Sequence, residues 1–499
     1  MRRRKDLVLK CVLYLCVISF CLQFFHILRH FVVSSDGSSS ERGKPSADDI
    51  SITTFIGKPM PEKTVPFPLL TSRTTCPGLT ALPPKTKHGF QSIKGSDSFL
   101  YAAHLEKKHV IVIALVKNKF LSNRKLYCQL WYNGSIKYED PLQVVDAEEE
   151  IIPESHSRKY TAAFIKCLLD TESAYRSEDI VAVSVVIDDK CRPSDPTAPP
   201  LTVLAPPLPG NRLTSEYTVC VTPFNFRYSR VYELIEMVEF NKILGADKIV
   251  FYNFSTGPNV DQVLQMYIRS GDVDVLPWPL PMHVDSWPSS NRPSEVWYFG
   301  QLAALNDCLV RHRYRARYIV FTDLDEFIVP LQDSNWTQLV SRLRSPPSDS
   351  TNSLEKKDYD IFIFRCVFFR KEWHQPAPGF ETLASKIQSA VLGYTRREKK
   401  VLPTGVRSKL ILNPRSVQEV GVHQVWQSSA EQLSVPSDIG LVYHYRSWEQ
   451  PDQQISFITS NDVALRFGHR LAIKVQEVRD RLHGVPMDID IKSYGNFVN

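Results

Sequence analysis

The chain has 499 residues, a formal net charge of +6, 43% hydrophobic residues and 23% charged residues. Such a length allows more than one domain and a sizeable core. Five basic residues and one acid stand in the first ten positions, and Arg29 follows, so the remainder carries about +1, which gives no electrostatic case for a nucleic-acid partner.

Residues 1–6 hold Arg2, Arg3, Arg4 and Lys5, and residues 7–28 are apolar apart from Lys10, Gln23 and His26. About 20 apolar residues span a bilayer, so the pattern predicts a cytoplasmic tail (1–6) and one transmembrane helix (7–28). Basic residues on the N-terminal flank orient the rest of the chain into a secretory lumen. A cleaved signal peptide would do the same, but Val32-Val33-Ser34 is a poor cleavage site. Sequons at Asn133, Asn253 and Asn335 agree with a lumenal chain. Residues 29–98, rich in Ser, Pro, Gly, Lys and Thr, read as a stem.

Residues 99–190 contain short β-like runs at 109–116, 125–132, 160–165 and 180–187, which predict a small antiparallel β-rich module. A Pro-rich linker (191–214) follows. Residues 215–490 then alternate strand and helix. Strands are predicted at 218–223, 248–252, 272–276 and 315–321. Val231, Leu234, Ile235 and Val238 mark a helix with one apolar face, Val263, Met266 and Tyr267 a second, and Leu302, Leu305 and Leu309 a third. This alternation predicts an α/β domain with a mostly parallel sheet, whose ligands sit beyond the carboxyl ends of its strands. Arg311, Arg313, Arg315 and Arg317 read as a solvated helix end, or as a cluster with one arginine facing a phosphate.

The strand at 318–322 runs into Asp323, Asp325 and Glu326, and then into another apolar run. Burying charge is costly, and a bound divalent cation is one compensation. Asp323 and Asp325 project to one side of an extended chain, as ligands of a hard cation such as Mg or Mn would. Asp-x-Asp also occurs at 272, 358 and 488, where a solvated turn or strand end explains it. Only the copy at 323 has apolar strands on both sides. Seven cysteines follow the apolar segment, namely Cys76, Cys128, Cys167, Cys191, Cys220, Cys308 and Cys366. Disulfides are expected in the lumen, with at least one cysteine free or paired between chains.

Three segments resemble glycosyltransferase family 92: residues 233–252; Gln301 through Asp307-Cys308 to 323–327; and 409–414 leading to Gly421-Val422-His423 and His444-Tyr445-Arg446. The resemblance implies a Rossmann-like GT-A fold over 215–490 and a Golgi membrane enzyme of type II topology. It implies inverting transfer of galactose from UDP-galactose to a glycan acceptor, in β1,4 linkage to a terminal galactose or another sugar of N-glycans. Asp325 would hold Mn2+ or Mg2+, and Asp323 would reach the ribose or a water on the metal. His423, or failing that His444, would be the third ligand, and Arg446 would pair with phosphate. Glu372 or Glu381 would be the base that an inverting displacement needs, and Trp373 could stack on a sugar. The alternatives are a membrane-anchored glycan-binding protein with an inactive transferase fold, or a transferase for another UDP-sugar. A sulfotransferase is disfavoured because residues 222–230 contain no glycine for a phosphate-cradling loop.

Overall fold

The computed structural model describes residue 76 and residues 89–489, except 118–123, 133–142, 170–176, 193–198, 208–209, 211, 287–288, 345–358, 448–455 and 461. The tail, the transmembrane segment at 7–28, most of the stem and Asn133 lie outside the described residues. No helix among the described residues is long and apolar enough to cross a membrane.

The first half is a closed barrel. Strand β1 (Gln91–Ser92) pairs onto β2 (Phe99–Leu105), which is followed by β3 (His109–Lys117), β4 (Leu126–Tyr132), β5 (Gln143–Ile151), β6 (Tyr160–Leu168), β7 (Ile180–Ile187) and β8 (Leu201–Leu204). The pairing order is β2-β3-β6-β5-β4-β7-β8, and β8 returns to lie parallel to β2 through Ala103↔Val203 and His104↔Leu204. Closure satisfies every strand edge. Val110, Val112, Ala114 and Val116 pack inside with Ile165 and the Cys128–Cys167 disulfide. The alternate residues Ile111, Ile113 and Leu115 pack outward against a helix of the second half. That double burial explains why the run at 109–116 is apolar throughout rather than alternating.

The second half begins with β9 (Ser215–Val221), α1 (Val231–Leu244), β10 (Lys248–Asn253), α2 (Pro258–Ser270), β11 (Val273–Pro277), α3 (Gln301–His312) and β12 (Ala316–Thr322). Strands β11-β10-β9-β12 are parallel. The sheet continues through β17 (Lys409–Leu412), antiparallel to both β12 and β14 (Ile361–Phe364), and ends at β20 (Gln432–Ser434). A further sheet runs in the order β13 (Glu326–Pro330), β21 (Gly440–Arg446), β15 (Cys366–Arg370), β16 (Arg396–Glu398) and β22 (Phe457–Thr459). A hairpin of β18 (Val417–Val420) and β19 (Val425–Ser428) completes the strands.

The α/β, Rossmann-like GT-A architecture is therefore not what the structure displays. The described residues hold 22 strands and seven α-helices, with a closed seven-stranded barrel as one core. The strand–helix alternation that suggested a parallel sheet is confined to β9–β12. Beyond Asp325 the chain forms short strands that pair largely antiparallel, with no helical crossovers to keep them parallel.

Two local expectations also change. Helix α1 buries nearly all its faces, including Glu236, Glu239 and Asn241, because α2 and the last helix (Asp462–Arg481) cover the side turned away from the sheet. Arg311 and Arg313, at the end of α3, are not solvated. Arg311 grips Asp307 at 2.9 Å, and Arg313 reaches Glu106 of the barrel at 2.7 Å and the carbonyls of Pro414 and Val417. Arg317 pairs with Glu216. Of these, Arg313 ties the barrel to the second half.

Candidate functional site

Strand β12 ends at Thr322, and β13 starts at Glu326. The turn between them is held by the Thr322 hydroxyl donating to the Glu326 carbonyl at 2.9 Å. Asp323 and Asp325 therefore stand at the carboxyl end of β12. Two neighbouring strands supply their partners through register. Leu410 lies opposite Phe321, which brings Lys409 beside the turn, and His444 lies directly opposite Glu326.

Lys409 Nζ sits 2.9 Å from Asp323 and 2.9 Å from Glu326, with 2% of its side chain exposed. His444 Nδ1 is 2.7 Å from Glu326, and its Nε2 is 3.4 Å from Asp325. Glu326 is fully buried, whereas Asp323 and Asp325 keep 27% and 31% of their side chains exposed. The geometry is a buried charged floor under two half-exposed carboxylates. Burial by itself would raise the Glu326 pKa, but the charges of Lys409 and His444 hold it well below the carboxylate range. Burial would lower Lys409 and His444, yet Asp323 and Glu326 hold Lys409 up, and Glu326 and Asp325 hold His444 up.

One oxygen of Asp323, Oδ1, is buried with no hydrogen-bond partner. Such an atom is costly unless something binds it. With Asp325 beside it, it fits a hard cation that takes its other ligands from water and phosphate. Among the described residues no three His, Cys, Asp or Glu side chains converge to hold an ion unaided.

The other expected residues are distributed as follows. His423, in the turn between β18 and β19, meets the Ser408 carbonyl through Nδ1 at 3.2 Å. Burial and then Lys409 push its pKa down, and it also feels Glu326 and Asp323, so it borders the cluster. His444, the weaker expectation for a ligand, is the histidine in contact with Asp325. Arg446 lies two residues further along β21, on the same face, with its guanidinium 5.7 Å from the Phe368 ring. Glu372 is exposed just past β15, which registers Phe368 with His444 and Arg370 with Arg446. Trp373 stacks near Phe457 at 5.2 Å. Glu381 is exposed at the start of its helix and accepts from the Gly379 amide. The Asn253 amide donates to Thr256, and Asn335 accepts from the Gln338 amide at the start of a helix, Trp336–Arg344.

Sequence reasoning missed Lys409 and left Glu326 outside the core of the site. A lysine opening the apolar strand 409–412 was a usable signal, since a buried ammonium needs an acid. Of the other Asp-x-Asp copies, Asp272 pairs with Lys242 and Asp274 with Lys248, and Asp360 accepts from Asn413. A cavity of about 250 Å3 lies at the amino-terminal end of β12, lined in part by His104, Arg311, His312 and Arg315. Beside it Asp307 meets His104 at 2.8 Å, Tyr252 at 2.6 Å and Arg311, whereas His312 Nε2 is buried with no hydrogen-bond partner. That network joins the barrel strand bearing His104 to α3, at the opposite end of β12 from Asp323 and Asp325.

Residues 215–479 match glycosyltransferase family 92. The chain is similar to a beta-1,4-galactosyltransferase, galt-1, of Caenorhabditis elegans, with 25% identity over 219 residues, 43% of this chain and 44% of that protein. It is also similar to glycosyltransferase family 92 protein F13G3.3 of the same organism, with 24% identity over 229 residues, 42% of this chain and 44% of that one. The chain thus matches less than half the length of these curated relatives. Among solved structures, a mycobacterial protein aligns over 56% of this chain and 80% of its own at 12% identity, with a TM-score of 0.22, too low to support a structural conclusion.

Proposed function

The chain belongs to glycosyltransferase family 92, and from that premise we propose that it transfers galactose from UDP-galactose to a glycan, inverting the anomeric centre, with Mn2+ or Mg2+ at Asp323 and Asp325. The carrying observation is the pair of half-exposed carboxylates, one with an orphaned oxygen, on a buried floor of Glu326, Lys409 and His444. Family membership supports glycosyl transfer in general. The choice of galactose and of a β1,4 linkage follows the relative named as a β-1,4-galactosyltransferase, and an acceptor in terminal galactose or another sugar of N-glycans follows the resemblance of the three segments. The basic flank and apolar run at 1–28 support a type II anchor in the Golgi membrane, with the head in the lumen.

The residues divide the work. Lys409 and His444 keep Asp323 and Asp325 oriented, and a rigid floor costs no reorganisation when charge develops. A bound divalent cation would offset the charge that builds on the leaving diphosphate. Arg446, on the same face as His444, would pair with a phosphate oxygen. An exposed carboxylate accepts the acceptor hydroxyl proton. Glu372, just past the strand that registers Arg370 with Arg446, suits that role better than Glu381, which opens a helix further along the chain.

The test is a screen of the full chain in detergent against UDP-sugars and a glycan array, with and without chelator. UDP-galactose should be preferred, and EDTA should stop transfer until Mn2+ is restored. Asp325→Asn should reduce turnover at least ~100-fold, the loss typical of one transition-state contact, with the fold intact. Full turnover by that variant, or in chelator, refutes the scheme.

A further inference from the structure

Three loops with left-handed backbone converge beside the acid turn. His156 and Ser157 have φ of 50° and 56°, Phe226 and Arg227 of 50° and 52°, and Tyr298 and Phe299 of 36° and 54°. Non-glycine residues, and bulky aromatics above all, rarely adopt this region. Each such residue is strained and persists only where its surroundings hold it, commonly at ligand sites. Here the strain presents rings to solvent. Tyr298 is 47% exposed and Phe226 38% exposed, and both pack on the buried ring of Phe299. The loop bearing Phe226 follows β9, the parallel neighbour of β12, so it emerges beside the acids. Tyr298 lies within electrostatic reach of Asp323 and Asp325.

The barrel builds the rest of this rim. Its β5–β6 loop stacks His156 on Trp297 with ring centroids 4.0 Å apart, and sets Arg158 over the same ring at 5.5 Å. The loop is anchored by the Tyr160 amide donating to the Glu295 carbonyl and by Lys159 paired with Glu295. Glu154 of the same loop accepts from the Val422 amide at 3.1 Å and from Trp426 Nε1 at 3.3 Å. Trp426 remains 41% exposed, and Val422 adjoins His423 at the edge of the acid cluster. At Gly421 any Cβ would meet Trp426 and Glu154, so this close approach requires glycine. The loop from the barrel therefore links the wall carrying Trp297 and Tyr298 to the wall carrying Val422 and Trp426.

We propose that Phe226, Tyr298 and Trp426, with His156 and Glu154 delivered by the barrel, form the acceptor subsite for a carbohydrate, so that the barrel helps select the glycan that is extended. The proposal rests on the transferase reading given above. Exposed rings among hydroxyl-binding groups suit the apolar C–H face and the polar rim of a pyranose. Contiguity with the acids places that sugar where the donor's reacting carbon would be.

The test uses the full chain with His156→Ala and Trp426→Ala, the conservative variants His156→Tyr and Trp426→Phe, and Leu465→Ala on the last helix as control. Loss of one stacked ring should raise the acceptor KM roughly 3- to 10-fold, with donor KM and the rate of donor hydrolysis by water unchanged. The conservative variants should restore most of the affinity, and the control should match wild type. An unchanged acceptor KM, or a rise in donor KM instead, overturns the proposal. Glycan binding without donor, read by tryptophan fluorescence, provides an arm independent of turnover. If the chain transfers nothing yet binds glycan in a His156- and Trp426-dependent way, the transferase reading fails and the subsite stands. If it binds no glycan in this arm, the subsite fails by itself.

Discussion

Replacing Lys409 by Met removes the one cation that faces two carboxylates at 2.9 Å, from a position with 2% exposure. Breaking a buried pair from one side costs about 3–5 kcal/mol, because the abandoned charge stays in a poor dielectric. Glu326 would retain His444 at 2.7 Å, and Asp323, 27% exposed, would be hydrated, so the low end, about 3 kcal/mol, is expected. At an unfolding entropy of about 2.1 cal/mol/K per residue, a unit of roughly 400 residues should lose about 3–4 °C in Tm. Urea unfolding followed by tryptophan fluorescence would measure the change. The companion variant Lys409→Met with Glu326→Gln should recover a large part of the loss, since no uncompensated buried charge remains. A single variant as stable as wild type, or a double variant less stable than the single, refutes the picture of a lysine clamped between the acids.

The same cluster predicts a pH dependence. Because Lys409 and His444 hold Glu326 down, its contribution is present above the unfolded carboxyl value of about 4.3 and is lost as pH falls through the depressed folded value. The contribution of His444, held up, is present below about pH 6.5 and lost as pH rises through its raised value. Tm measured against pH should therefore decline on both sides of a plateau between about pH 4.3 and 6.5, and Glu326→Gln should flatten the acid side. Removing the barrel disulfide by Cys128→Ala with Cys167→Ala opens a span of 39 residues and should cost about 4 kcal/mol. A denaturation midpoint equal to wild type would show that the barrel does not depend on it.

The acid turn was legible because its signal is local: an apolar strand, three carboxylates, another apolar strand. The elements β9, α1, β10, α2, β11, α3 and β12 were legible for the same reason, through periodicity and through Gly245 and Gly271 at helix ends. The odd cysteine count was also informative, since three disulfides form among the described residues and Cys366 is free and buried. The overall class was misjudged because a stretch of alternation was extended to a region where all strands but β21 have three to five residues, too short to show a period.

By itself, then, the order of residues determined which segments up to β12 are strands or helices, where charge interrupts apolar chain, and which family the second half belongs to, because each depends on neighbours within a few positions or on a recognisable run. Only the tertiary structure decided that β2 and β8 meet to close a barrel, that Lys409 lies under Asp323, 86 residues away, and that His444 rather than a nearer histidine touches Asp325. Those contacts depend on sheet register between distant strands, and register is set by the packing of the whole core rather than by any window of sequence.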